Sequence, residues 1–155
     1  MTMEKFKVDE VKTWRIRIPY REPFTTSFGT EEIKETIIIG IRHGDLVGYG
    51  ECVAGRHPMY SYETIETANY IIDRYLIPSI LGKEVNPDIF LEEVKWIRGH
   101  NMAKATVEMA LWDLYAKTRG KPLYKVIGGV RDKVNVGVSI GIQKNIEELI
   151  KKISG

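Results

Sequence analysis

Near the start of the chain, apolar and polar residues alternate: Trp14, Ile16 and Ile18 on one face, Thr13, Arg15 and Arg17 on the other. That period of two predicts a half-buried strand over Lys7–Ile18, with Pro19 as its stop. Ile33–Arg42, rich in isoleucine on both faces, predicts a second strand, and His43-Gly44-Asp45 a turn into a third over Leu46–Val53. Short connections favour an antiparallel meander.

The period then lengthens. Ser61 is expected to cap a helix running to about Tyr75, with Glu63 in its first turn and Pro78 and Gly82 closing it. Asn86-Pro87-Asp88 places a capping side chain before a proline at the first helical position, predicting a helix to Arg98. The next helix is capped by Asn101 and stopped by Gly120 and Pro122. Its residues Met102, Ala103, Ala105, Val107, Met109, Ala110, Leu111, Trp112, Leu114 and Ala116 leave no wide polar face, so burial nearly all round is expected. After Gly128-Gly129, Val134–Ile140 reads as a new strand. Asn145 and Glu148 make a capping-box-like start to a last helix ending before Gly155. Strands first and helices after place the bulk of the chain in the α+β class.

Composition narrows the class. The 155 residues suffice for one ordinary domain without disulfides, and 43% hydrophobic with 28% charged residues suits a globular protein. A net charge of +2 gives no reason to expect a nucleic acid or membrane partner. Cys52 is the single cysteine, so neither a disulfide framework nor a thiolate metal site is expected, which favours a reducing cytoplasm. No long apolar run appears, and the opening MTMEKFKVDEVK is polar, unlike a signal peptide.

Candidate chemistry is sparse. His43, His57 and His100 fall in separate expected loops without ligand spacing and read as exposed loop histidines. Gly48 and Gly50 lie within a strand rather than before a helix, so they read as close backbone packing or a bulge, not a phosphate cradle. Glu51, Glu108 and Asp113 are the acids nearest apolar surroundings. Glu108 has Lys104 one helical turn before it and Asp113 has Lys117 one turn after it, so structural pairing is expected. No catalytic constellation emerges within residues 1–155. Two segments stand out as long loops carrying aromatics: Tyr20–Glu32 (YREPFTTSFGTEE) and Val53–Tyr62 (VAGRHPMYSY). Such loops are either lids over a ligand or covers for the domain's own core, and the residues alone leave both readings open.

The segments PFTTSFGT at 23–30, GYGECVAG at 48–55, PMYSYET at 58–64, MAKATVEMALWDL at 102–114, GKPLYKVIGG at 120–129 and VGVSIGI at 136–142 occur in a fixed order across essentially the whole chain. Together they resemble the N-terminal part of the o-succinylbenzoate synthase and N-succinylamino acid racemase group, in the muconate-lactonizing branch of the enolase superfamily. The helix with PLYxxxGG carries the branch, while TSFGT, GECVA and PxYSxET narrow it to the group.

The resemblance implies an enolase-like capping domain over residues 1–129, a three-stranded antiparallel meander followed by helices. Residues 130–155 would then be the first strand and helix of a TIM-like barrel that is truncated here. Family members abstract the proton beside a carboxylate using lysines and Mg²⁺, because the developing charge needs a metal and a cation to stabilise it. They serve menaquinone biosynthesis, amino acid racemisation, or both. By position, Phe24 and Tyr60 would lie over a small carboxylate substrate, and Ser139 and Gly141 would line its floor, as barrel sites sit at the C-terminal ends of strands. Arg56 and His57 depart from a blander stretch in the group. The family's catalytic lysines and metal ligands have no counterpart in residues 1–155. The isolated chain is therefore expected to be inactive and metal-free, and to pair with a missing barrel segment or self-associate through residues 130–155. A stand-alone binding or assembly domain, or the cap of a dipeptide epimerase or muconate cycloisomerase, is the alternative.

Overall fold

Strands β2 (Glu10–Thr26), β3 (Gly29–His43) and β4 (Leu46–Cys52) form one sheet in that order. The computed structural model describes residues 3–154 of the chain. A two-residue turn at Gly44-Asp45 sets β3 antiparallel to β4, with Ile37 opposite Cys52 and His43 opposite Leu46. Gly44 supplies the positive φ of 55° that the turn requires, and its N–H donates to the Asp9 carboxylate at 2.8 Å.

Strand β2 does not end at Pro19 but continues to Thr26. It lies at the edge of the sheet, where one row of N–H groups has no ladder partner to lose, so proline is tolerated. Consequently Tyr20–Glu32 is not a long loop: β2 and β3 extend through it and Ser27-Phe28 makes the turn. Its threonines suit a pleated surface, and Thr25 Oγ1 lies 2.9 Å from Thr30 Oγ1. The start of the first expected strand is also split off. β1 (Phe6–Lys7) pairs antiparallel with β5 (Glu84–Val85) rather than joining the meander.

Helix α1 (Ile65–Ile71) begins later than expected, capped by Thr64 in a reciprocal arrangement with Thr67. It runs on through a π turn (Ile72–Leu76) into α2 (Ile77–Ile80), so Pro78 does not end it. Ile77 N–H bonds the carbonyl of Ile72, and the chain takes Pro78, which has no N–H to place, in the first turn of α2. Gly82, with φ of 75°, follows. Asn86 caps α3 (Pro87–Val94) as expected, its Oδ1 accepting the Ile89 N–H at 2.8 Å, but the helix stops short of Arg98.

Helix α4 (Asn101–Thr118) packs along β4, and most of its residues are buried or half-buried, with Met109 among the exposed ones. Val107, Leu111 and Leu114 meet Ile37, Ile39 and Ile41 of β3 in one core with Ile65, Ile72, Leu76 and Phe90. The close packing expected at Gly48 and Gly50 is present: a Cβ at Gly50 would stand 2.0 Å from the Thr106 carbonyl oxygen. Helix α5 (Leu123–Val126) is a single turn after Pro122.

These elements, up to Ile16 and over Glu35–Val130, make one compact unit. The second comprises Arg17–Lys34 and the residues from Arg131 on. In that second unit α6 (Ile146–Ser154) follows Asn145, whose Oδ1 accepts the Glu148 N–H at 2.8 Å. The strand expected over Val134–Ile140 is not formed, because those residues have no ladder partner among the described residues and a strand exists only by pairing.

Candidate functional site

Within the second unit, the β2–β3 arm meets the segment around Gly141. The Ile142 N–H donates to the Thr25 carbonyl at 2.8 Å. A Cβ on Gly141 would lie 3.2 Å from Phe24 Cδ2 and 3.0 Å from the Thr25 oxygen, so the ring and the arm's backbone pass close over this glycine. Glycine permits that approach; a Cβ there would be tight against both the Thr25 backbone and the Phe24 ring. Phe24 and Gly141, two of the four residues singled out by resemblance, are thus brought together. Ser139, two residues earlier, is exposed. Lys152 of α6 contacts the Glu22 carboxylate, and this hydrogen bond holds the carboxyl below its ordinary pKa. Burial pushes the Tyr20 phenol up, with the nearby Glu31 carboxylate adding to the effect.

In the first unit, Val53–Tyr62 is irregular, as expected, and its ends are tied down. The Ile65 N–H reaches back to the Gly55 carbonyl at 2.8 Å, closing the segment into a compact loop. Tyr62 Oη accepts the His100 N–H at 3.1 Å, and their rings meet edge-on. Gly99 lies beneath, where a Cβ would be 2.4 Å from the Tyr62 oxygen. Tyr60, at the crest, is 84% exposed. The core-cover reading of this loop therefore fails for Tyr60 itself.

Two carboxylates that the sequence reading did not single out for these roles organise this loop. Glu63, expected in the first turn of α1, is instead buried and turned toward α4, where its oxygens accept the Met102 and Ala103 N–H groups at 2.9 and 3.1 Å. It takes over the capping role expected of Asn101, and the N-cap position falls on His100 with φ of 50°. Glu35 on β3 accepts the Arg15 guanidinium at 2.7 Å and faces Arg56 of the loop at 3.3 Å. A carboxylate two residues before the Ile37-Ile38-Ile39 run was the available signal for Glu35. Nothing local marked Glu63, whose partners lie about forty residues on.

The other acids and histidines take structural roles. Glu108 accepts the Trp112 indole N–H at 2.8 Å rather than pairing with Lys104, whose ammonium reaches the Ile97 carbonyl that ends the preceding turn. Asp113 pairs with Lys117 as expected, at 2.7 Å, and also accepts the Tyr49 N–H. Glu51 is exposed. His43 Nδ1 bonds the Lys7 carbonyl at 2.8 Å. His100 is no exposed loop histidine, since its Nδ1 is buried without a hydrogen-bond partner among the described residues. The side chains do not fit the Mg²⁺ implied by resemblance: among the described residues no three His, Cys, Asp or Glu side chains converge. Among those residues, too, no helix is long and apolar enough to cross a membrane.

A family profile described as "Mandelate racemase / muconate lactonizing enzyme, N-terminal domain" matches residues 8–128. An N-succinylamino acid racemase from Thermus thermophilus is 39% identical over 139 residues, covering 89% of this chain and 38% of that protein. An o-succinylbenzoate synthase from Geobacillus kaustophilus is 42% identical over 140 residues, covering 89% and 37%. A crystal structure of an enolase superfamily member from Listeria innocua superposes with a TM-score of 0.87 at 35% identity, over 97% of this chain and 41% of that one. The chain thus spans roughly two fifths of the length of these relatives.

Proposed function

The chain belongs to the mandelate racemase / muconate lactonizing enzyme family of the enolase superfamily, and from that premise we propose that residues 1–155 are the substrate-capping portion of an o-succinylbenzoate synthase or N-succinylamino acid racemase. In this reading residues 1–129 form the cap and residues 130–155 open the barrel. Phe24 and Tyr60 cover a small carboxylate substrate, and Ser139 and Gly141 line its floor. The observation that carries it is the approach of Phe24 to Gly141, with the Ile142 N–H on the Thr25 carbonyl. It supports an arm whose aromatic ring covers the residues assigned to the floor.

The chain's own contribution is to bind, orient and exclude water. An aromatic ring over a reacting carboxylate lowers the local dielectric and strengthens every charge interaction beneath it. In this reading the proton-transferring lysines and the Mg²⁺ ligands lie outside residues 1–155.

The test replaces the matched portion of the Geobacillus kaustophilus synthase with residues 1–155 and then truncates the two rings. Losing the burial of one such side chain corresponds to about 2 kcal/mol, so Phe24→Ala and Tyr60→Ala should each lower kcat/KM about thirtyfold. Both side chains are at least one-third exposed, at 37% and 84%, so thermal unfolding should barely move. Unchanged kcat/KM in both variants would sink the assignment of these residues. A large stability loss would show instead that they pack the fold.

A further inference from the structure

The loop Gly55–Thr64 is anchored near both ends and exposed at its crest. Its closing end is fixed by the Tyr62–His100 bond and by Glu63 on α4. Its opening end is held by Glu35, whose side chain is only 8% exposed and sits between two guanidinium groups. Arg15 binds one carboxylate oxygen at 2.7 Å and also reaches Glu66 in the first turn of α1, at 2.5 Å. Arg56 faces the other oxygen at 3.3 Å. The network therefore joins β2, β3, the loop and α1 through one mostly desolvated carboxylate. An isolated surface ion pair would contribute little, but Glu35 is shielded and shared, so its charge is not screened as an exposed one would be. Between the anchors, His57, Pro58, Met59 and Tyr60 are exposed.

We propose that Glu35 is a positioning residue: gripping Arg56 against Arg15, it fixes the crest of this loop and thereby sets how tightly substrate is held beneath Tyr60. It touches no substrate itself. The inference deepens the capping function proposed above and rests on that reading for the substrate.

Two measurements test it separately. In the chain of residues 1–155, chymotryptic nicking after Tyr60 reports how often the crest opens. Glu35→Gln and Arg56→Ala should each speed that cut about fivefold. Arg56→Ala, altering a half-exposed side chain, keeps the test sound should Glu35→Gln fold poorly. In the grafted synthase the same substitutions should raise KM about fivefold and leave kcat within about twofold, with Arg56→Lys recovering most of the loss. A substitution that acted only on stability would lower the melting temperature without this split or this rescue. Unchanged nicking overturns the proposal, as does faster nicking with an unchanged KM. A graft that folds but turns over no substrate would overturn the proposed function, while the nicking result would still judge the anchor.

Discussion

Gly50→Ala should lower stability by about 3 kcal/mol, near the top of the range for overpacking, and the melting temperature by roughly 10 °C. The added Cβ would lie 2.0 Å from the Thr106 carbonyl oxygen and 3.0 Å from the Ala110 nitrogen. Both are backbone atoms of α4, so no rotamer change relieves the clash; helix and strand must part along their length. Gly48 repeats the constraint one pleat away, its Cβ falling 2.2 Å from the Ala110 oxygen and 2.5 Å from the Leu114 nitrogen. Calorimetry on the two alanine variants, with Met109→Ala on the exposed side of α4 as a control, measures the effect. Melting within about 2 °C of the parent for both would show that α4 does not rest on β4 as described.

Glu63→Ala should destabilise by a comparable amount, about 3 kcal/mol, because it leaves two helix N–H groups without their acceptor where water has little access. The carboxylate is buried and serves Met102 and Ala103 at once, at the end of α4 where the helix dipole favours an anion. Glu63→Gln keeps an oxygen but loses the charge and one acceptor, so about half the effect is expected. Chemical denaturation of the two variants beside Glu51→Ala, which changes an exposed acid, gives the comparison. Equal midpoints for all three would contradict the cap. Because Glu63 also ends the loop bearing Tyr60, the two variants should open that crest to protease as well.

Where the sequence reading succeeded, the cause was local. Gly44 and Gly82 needed positive φ, and Asn86 sat one residue before a helical proline; the close packing at Gly48 and Gly50 was the exception, legible from two glycines inside one strand although the helix they meet lies far along the chain. Where it erred, the deciding partner was distant. Pro19 reads as a stop only when the strand is central, and β2 lies at the edge of the sheet. Tyr20–Glu32 reads as a loop only until each half of the arm pairs with the other. Pro78 ends an ordinary helix but not one that passes through a π turn. Lys104 is one turn from Glu108, yet the open carbonyl of Ile97 and the Trp112 indole take the two side chains apart. For the candidate site, resemblance supplied Phe24 and Gly141, which the second unit brings into contact. Glu35 and Glu63 stayed hidden because their partners, Arg56 and the start of α4, lie 21 and about 40 residues away.

The most direct measurement is catalysis by the graft. Residues 1–155 take the place of the matched portion of the Geobacillus kaustophilus synthase, and the product is assayed with Mg²⁺ for dehydration of the o-succinylbenzoate precursor and for racemisation of an N-succinylamino acid. The expected result is turnover of at least one substrate by the graft and none by residues 1–155 alone. A folded graft inactive on both substrates, or turnover by residues 1–155 without a barrel, would contradict the assignment of this chain as a substrate cap.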